Sequence, residues 1–228
     1  MEYPIRINKY LRDQGLASRR EADQLIADGK VLVNGKRAKE GTIINESDRV
    51  VVRSGGEKEK IYLAYYKPRG LATQDADDTE NVIKEWTEKG LFPVGRLDKE
   101  SEGLLILTND GRLTTKLIGE DSDVEKEYIV KVKEGIREGI PAIFKKGMQT
   151  KTFGKLLPAK AQIIDRNTMR VVLREGKRHQ LRVMFGDLGC TIAGLKRIRV
   201  GHIKLGSLLP GQTRKLTQAE IDAFFQRS

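Results

Sequence analysis

Cysteine is almost missing from this chain of 228 residues: Cys190 stands alone. No disulfide can form within the chain, and a reducing compartment is expected. Flanked by Leu188, Gly189, Thr191 and Ile192, Cys190 reads as a packing residue rather than a nucleophile. Histidine is as scarce. His179 and His202 are the only two, and with one cysteine they offer no zinc-type ligand spacing, so no metal is expected. Long apolar runs are absent as well. The longest, Ile61–Tyr66, falls far short of the ~20 residues that cross a bilayer, and the opening MEYPIRINKYL lacks the apolar core of a signal peptide. No membrane association and a cytoplasmic location are expected. There is no GxxxxGK[ST] phosphate loop and no GxGxxG after a strand. No cofactor is expected either, so side chains must do any chemistry.

What the chain does have is positive charge. Its 43 Lys and Arg against 32 Asp and Glu give a formal net charge of +11, which points to a polyanionic partner. Residues 170–215 hold eleven Lys or Arg against Glu175 and Asp187, a local net of +9. A field of that density suits phosphate neutralisation.

Three segments are legible. Residues 1–53 form a small module. Ile7–Gln14 has a short helical pattern stopped at Gly15. Ser18-Arg19-Arg20-Glu21 is a capping box, Ala22, Leu25 and Ile26 share one helical face, and Gly29 sits where a helix ends. Val31-Leu32-Val33 then meets Asn34-Gly35, a two-residue hairpin signal, with a further strand at Arg49–Val52. Residues 54–60, rich in Gly, Lys and Glu, read as a linker. Residues 61–228 alternate strands with helices. Strands are expected at 61–66, 91–94, 103–108, 127–132, 159–164, 169–173 and 195–200, and helices at 79–88, 112–118, 136–146, 177–188 and 218–226. Asp165-Arg166-Asn167 is too short for a crossover, so its flanking strands should be antiparallel. The class is α+β, with a mixed, largely antiparallel sheet flanked by helices.

One stretch raises a chemical question: GRLDKESEGLLILTNDG, residues 95–111. Asp98 lies between Arg96 and Lys99, in a loop bounded by Gly95 and Gly103 and followed by the apolar Leu104–Leu107. On residues alone it reads either as an ion-pair partner in a turn or as an acid held beside a buried strand.

INKYLRDQGLASRREADQLIADGKVLVNGKRA resembles the S4 (αL) RNA-binding domain, which implies that the helix bearing Arg19 and Arg20 faces RNA phosphates. GRLDKESEGLLILTNDG resembles the GRLDxxSxGLLLLTNDG motif of pseudouridine synthases, specifically the S4-carrying bacterial ribosomal-RNA branch. The supporting motifs come in order: Tyr66-Lys67-Pro68-Arg69-Gly70, then Glu125-Lys126-Glu127-Tyr128, then the segment from Glu175 to Met184. The resemblance implies an isomerase that converts uridine to pseudouridine in ribosomal RNA, 23S favoured over 16S, on a flipped-out base. It implies Asp98 as the catalytic carboxylate, Arg182 holding it by two N–H groups, and Tyr128 against the uracil. Arg96, Lys67, Arg19, Arg20, Arg178, His179, Gln180, Lys196 and Arg197 are the expected RNA or substrate contacts. A monomer is expected. Two other readings compete. A non-catalytic S4-type ribosome-assembly factor would have no use for Asp98, Tyr128 and Arg182 together. A glycosidase-like hydrolase would need a second carboxylate, with Glu100 or Glu102 the only neighbours.

Overall fold

Ser18 opens the second helix of the N-terminal module, as the capping-box pattern requires. Its Oγ accepts the Glu21 N–H at 3.3 Å while a Glu21 carboxylate oxygen accepts the Ser18 N–H at 2.9 Å. Two amides that a first turn leaves unpaired are thereby satisfied. In this computed structural model, residues 2–53, 59–73, 82–119 and 122–226 are described, without the side chains of residues 19, 20, 82 and 83. The module runs β1 (Ile5–Arg6), α1 (Ile7–Asp13), α2 (Arg19–Ala27), β2 (Val31–Val33), β3 (Lys36–Arg37), β4 (Ile43–Ile44) and β5 (Val50–Val52). Asn34 and Gly35 both have positive φ, 51° and 80°, as the tight turn between β2 and β3 demands. Ile7, Leu11, Ala22, Ile26, Val31 and Ile44 close a small core of their own.

Most of the expected linker, residues 54–58, lies outside the described residues. From Glu59 the chain is held: Asn109 donates to the Glu59 carbonyl at 2.8 Å and accepts the Ile61 N–H at 2.8 Å. Lys60 reaches back to Glu21 of α2 at 2.9 Å.

The remainder comprises β6 (Tyr62–Lys67), α3 (Val82–Glu88), β7 (Phe92–Val94), β8 (Glu102–Thr108), α4 (Gly111–Ile118), β9 (Lys126–Val132), α5 (Ile140–Lys146), β10 (Gln149–Thr150) and β11 (Gly154–Lys155). There follow β12 (Lys160–Asp165), β13 (Thr168–Leu173), α6 (Gln180–Asp187), β14 (Ile192–Val200), β15 (Ile203–Lys204), β16 (Thr213–Lys215) and α7 (Gln218–Phe225). A nine-stranded sheet carries the order β12-β13-β9-β14-β8-β6-β16, with β7 on β8 and β15 on β14. β12 and β13 are antiparallel as the short connection requires. Among the described strands the sheet's one parallel pair is β14 with β8.

Two helices start later than their apolar patterns suggest. α5 begins at Ile140 rather than at 136, because the Ile136 N–H bonds the Arg166 carbonyl. Pro141 then sits in the first turn, where its missing N–H costs nothing. α6 begins at Gln180 rather than at 177, because His179 is left-handed with φ 57°. The beginning of the helix expected at 79 lies outside the described residues.

The sheet separates two cores. Val130, Phe144, Met169, Val171, Phe185 and Leu195 pack between sheet, α5 and α6; Tyr66, Leu104, Ile106, Leu113, Leu117 and Phe224 pack between sheet, α4 and α7. β8 is central and covered on both faces, Leu105 and Leu107 facing Tyr65 and Trp86 on the side away from Leu104 and Ile106. This explains its unbroken apolar run, since a strand with two buried faces has no reason to alternate.

Candidate active site

Asp98 sits in the loop joining β7 to β8, tied at several points. Gly103 closes the loop with φ 111°, and a Cβ there would come within 2.2 Å of the Arg197 carbonyl oxygen. Only glycine lets β14 lie against the entrance of β8. The Ser101 N–H bonds the Asp98 carbonyl at 2.9 Å. Buried Thr73 clips the residue before Asp98, its hydroxyl donating to the Leu97 carbonyl at 2.6 Å and accepting the Leu97 N–H at 3.0 Å.

The carboxylate faces the start of α6. Its Oδ2 lies 3.1 Å from His179 Nδ1 and 3.6 Å from Arg182 Nε. His179 caps α6 and Arg182 lies in its first turn, so both reach the same oxygen. The N-terminal end of a helix also favours an anion through its dipole and open amides. Arg182 Nη2 donates to Ser101 Oγ at 3.3 Å, so the same guanidinium holds the loop from a second side.

A row of residues crosses the sheet beside this loop. Register places Tyr128 of β9 opposite Arg197 of β14, Arg197 beside Gly103 of β8, and Gly103 opposite Lys67 of β6. Arg197 is 6% exposed and Lys67 fully buried. Arg197 Nε donates to the Leu104 carbonyl at 2.8 Å and its Nη1 to the Arg96 carbonyl at 3.4 Å. Lys67 Nζ donates to the Pro68 and Leu71 carbonyls at 3.0 and 2.5 Å. Burial pulls the Lys67 ammonium down to about 8, against the opposing pull of Asp98 and its acidic neighbours. Tyr128, half-buried, packs at the edge of the core formed by Val130 and Val171.

The expected contacts differ in their surroundings. Lys67 and Arg197, expected as substrate or RNA contacts, are buried cations whose charged groups are taken by backbone carbonyls. Gln180 is also buried, its amide staple running from the Lys177 N–H at 3.0 Å to Glu175 at 2.8 Å. Arg182 does not hold Asp98 with two N–H groups but approaches one oxygen from Nε. Lys196 is half-buried on the opposite face, its Nζ 4.8 Å from the centre of the Tyr66 ring. Arg96 and Arg178 are exposed, as a phosphate contact needs. The side chains of Arg19 and Arg20 lie outside the described residues. Neither acidic neighbour joins Asp98. Glu100 pairs with Arg69 at 3.0 Å, and Glu102 accepts the Tyr66 hydroxyl at 2.9 Å on the other face. The two-carboxylate arrangement of a hydrolase is thus not assembled among the described residues.

Sequence reasoning missed three things: the His179 contact, the Thr73 clip and the inward turn of Arg197. The last had a signal, since Arg197 falls in phase with buried Leu195 on β14. The Thr73 contact had none, because 24 residues separate its partners.

Among the described residues no group of three His, Cys, Asp or Glu converges to hold a metal ion. No helix of the described residues is long and apolar enough to cross a membrane. What stands at the loop is one carboxylate backed by an imidazole and a guanidinium, within a sheet that follows a small RNA-binding-like module.

Comparison with known proteins gives that arrangement its class. Residues 61–187 match the RNA pseudouridylate synthase family and residues 5–50 match the S4 domain. An RNA pseudouridine synthase of Aquifex aeolicus is 36% identical, over 97% of this chain and 94% of its own length. Ribosomal large subunit pseudouridine synthase B of Bacillus subtilis is 33% identical, over 95% and 94%. The dual-specificity RNA pseudouridine synthase RluF of Escherichia coli is 33% identical, over 97% of this chain and 79% of its own. A crystal structure of a pseudouridylate synthase superposes with a TM-score of 0.72 at 28% identity, covering 96% of this chain and 99% of that one. The chain belongs to the S4-carrying branch of the RNA pseudouridine synthase family, enzymes that isomerise uridine within RNA.

Proposed function

We propose that this enzyme converts uridine to pseudouridine in ribosomal RNA, with large-subunit RNA as the substrate and Asp98 as the catalytic carboxylate. The observation that carries the reading is the carboxylate itself, on a loop clipped at Leu97 and Ser101 and held at one oxygen by His179 and Arg182. Large-subunit RNA is favoured by the similarity to the Bacillus subtilis enzyme, whose name specifies that subunit.

The reaction breaks the N1–C1′ bond, turns the uracil in place and joins C5 to C1′. The hydrogen on C5 leaves as a proton and N1 gains one, so no electrons are exchanged. An ionised carboxylate at the electron-poor sugar carbon stabilises or traps it while the base is free. Arg182 and the start of α6 set positive charge beside that carboxylate. Tyr128, on the row that leads to Gly103, offers a ring for the uracil to stack on. Extracting the uridine from its stack costs a few kcal/mol, which exposed cations such as Arg96 and Arg178, together with the S4 module of residues 1–53, supply through the surrounding RNA. A monomer acting on ribosomal RNA in the cytoplasm is part of this reading.

The test incubates the purified protein with 23S and 16S fragments carrying 5-tritiated uridine and maps pseudouridine in both. Tritium release confined to the large-subunit fragment supports the reading. Release from the 16S fragment alone overturns the choice of subunit, and release from neither overturns ribosomal RNA as substrate.

A further inference from the structure

His179 occupies an unusual place. It is not glycine, yet its φ is 57°, a left-handed conformation that histidine, asparagine and aspartate tolerate better than most side chains. That conformation ends the loop after Glu175, starts α6, and leaves the imidazole beside Asp98. Both ring nitrogens have a polar neighbour. Nδ1 lies 3.1 Å from Asp98 Oδ2, and Arg178 Nε donates to Nε2 at 3.2 Å. Arginine is always a donor, so Nε2 must be the acceptor, and in a neutral ring the proton then sits on Nδ1, facing the carboxylate.

We propose that His179 is a positioning residue for the isomerisation: a neutral imidazole, oriented by Arg178, whose Nδ1–H holds Oδ2 of Asp98 and leaves Oδ1 to meet the nucleotide. The proposal rests on the reading of Asp98 given above. It assigns the carboxylate's orientation to two groups at the start of α6. His179 makes the shorter contact and Arg182 the charged one, and both fall on the same oxygen. A carboxylate held at one oxygen cannot rotate freely about its Cβ–Cγ bond, so the second oxygen has a fixed direction. Arg178 thereby gains a role besides any phosphate contact, since its guanidinium selects the tautomer that can donate.

Two substitutions separate this from a purely structural role. His179→Gly keeps the left-handed backbone and removes the donor. His179→Asn keeps both, because asparagine tolerates this φ and its side-chain N–H group lies about where Nδ1 does. Single-turnover tritium release should fall roughly ten- to hundred-fold in His179→Gly, with RNA affinity near wild type, and His179→Asn should recover most of the rate. A second readout needs no turnover. The chain has only two histidines, and His202 Nε2 lies 2.7 Å from the Glu220 carbonyl, so that ring must be protonated on Nε2. Nitrogen-15 spectra of histidine-labelled full-length protein at mildly alkaline pH should show one ring of each tautomer, the Nδ1–H signals vanishing in His179→Gly. Wild-type turnover in His179→Gly, no recovery in His179→Asn, or an Nε2–H tautomer at His179 would each overturn the proposal. Asp98→Asn run in parallel keeps the two readings apart. If that variant stays active, the role of Asp98 fails and the positioning role falls with it, while the tautomer result still stands.

Discussion

The approach to α6 and the middle of β14 carry the same kind of charge to opposite ends. Arg174, Lys177 and Arg178 precede α6 with their side chains exposed. Arg197 and Arg199 on β14 turn inward. Arg197 serves the carbonyls of Leu104 and Arg96, and Arg199 reaches Glu127 at 2.6 Å and Glu125 at 3.0 Å. Counted along the chain, both groups belong to one basic tract. In space, one leaves its charge exposed and the other holds the sheet and the active-site loop together. Local charge density in a sequence therefore overstates the field available to phosphates, because a strand sends alternate side chains to opposite faces.

Breaking the inward group should cost folding, beginning with the residue that lets β14 approach. Gly103→Ala places a Cβ against the Arg197 carbonyl at a positive φ, and should destabilise the protein by about 3–5 kcal/mol or prevent folding. Thermal melting by circular dichroism checks this. Arg197→Met leaves the Leu104 carbonyl unpaired in a buried place, a loss of roughly 1–3 kcal/mol, yet it should leave the salt dependence of RNA binding unchanged.

Lys67 sharpens the same contrast through pH. Its folded-state value of about 8 lies below the ordinary lysine value, so the unfolded chain holds that proton more tightly. The group's burden on stability is therefore fully present below pH ~8 and is relieved as pH rises from there towards ~10.4. Chemical denaturation across that window should show wild-type stability rising relative to Lys67→Met. A constant difference between the two would mean that Lys67 is not a buried cation.

The outward group should do the reverse. Arg174→Ala and Lys177→Ala should leave the melting temperature within error. Each should reduce the log–log slope of RNA affinity against salt by about 0.7–0.9. An unchanged slope would make these side chains solvated surface, and the comparison between the two regions would collapse.

How far the sequence carried depended on the kind of signal. Local patterns were legible: both capping boxes, Asn34-Gly35, the hairpin around Arg166, and the buried run Leu104–Leu107 all stand where residue chemistry puts them. The motif around Asp98 was legible through its resemblance. Contacts between distant segments were not. Nothing in the residues near Thr73 announces Leu97, and nothing near Lys67 shows that its ammonium ends on its own loop's carbonyls. The side-chain types that bind RNA also satisfy buried carbonyls, and only the strand pairing distinguishes the two uses.

The central claim is that the carboxylate of Asp98, held by this framework, performs the chemistry. It is tested most directly by Asp98→Asn, which keeps the shape of the side chain and removes its charge. Release of tritium from 5-tritiated uridine in a bound large-subunit RNA fragment is the measurement, since C5 loses its hydrogen when it becomes the glycosidic carbon. The account predicts a folded protein with RNA affinity near wild type and tritium release lowered by roughly 1,000-fold or more. Release at a rate comparable to wild type would contradict it.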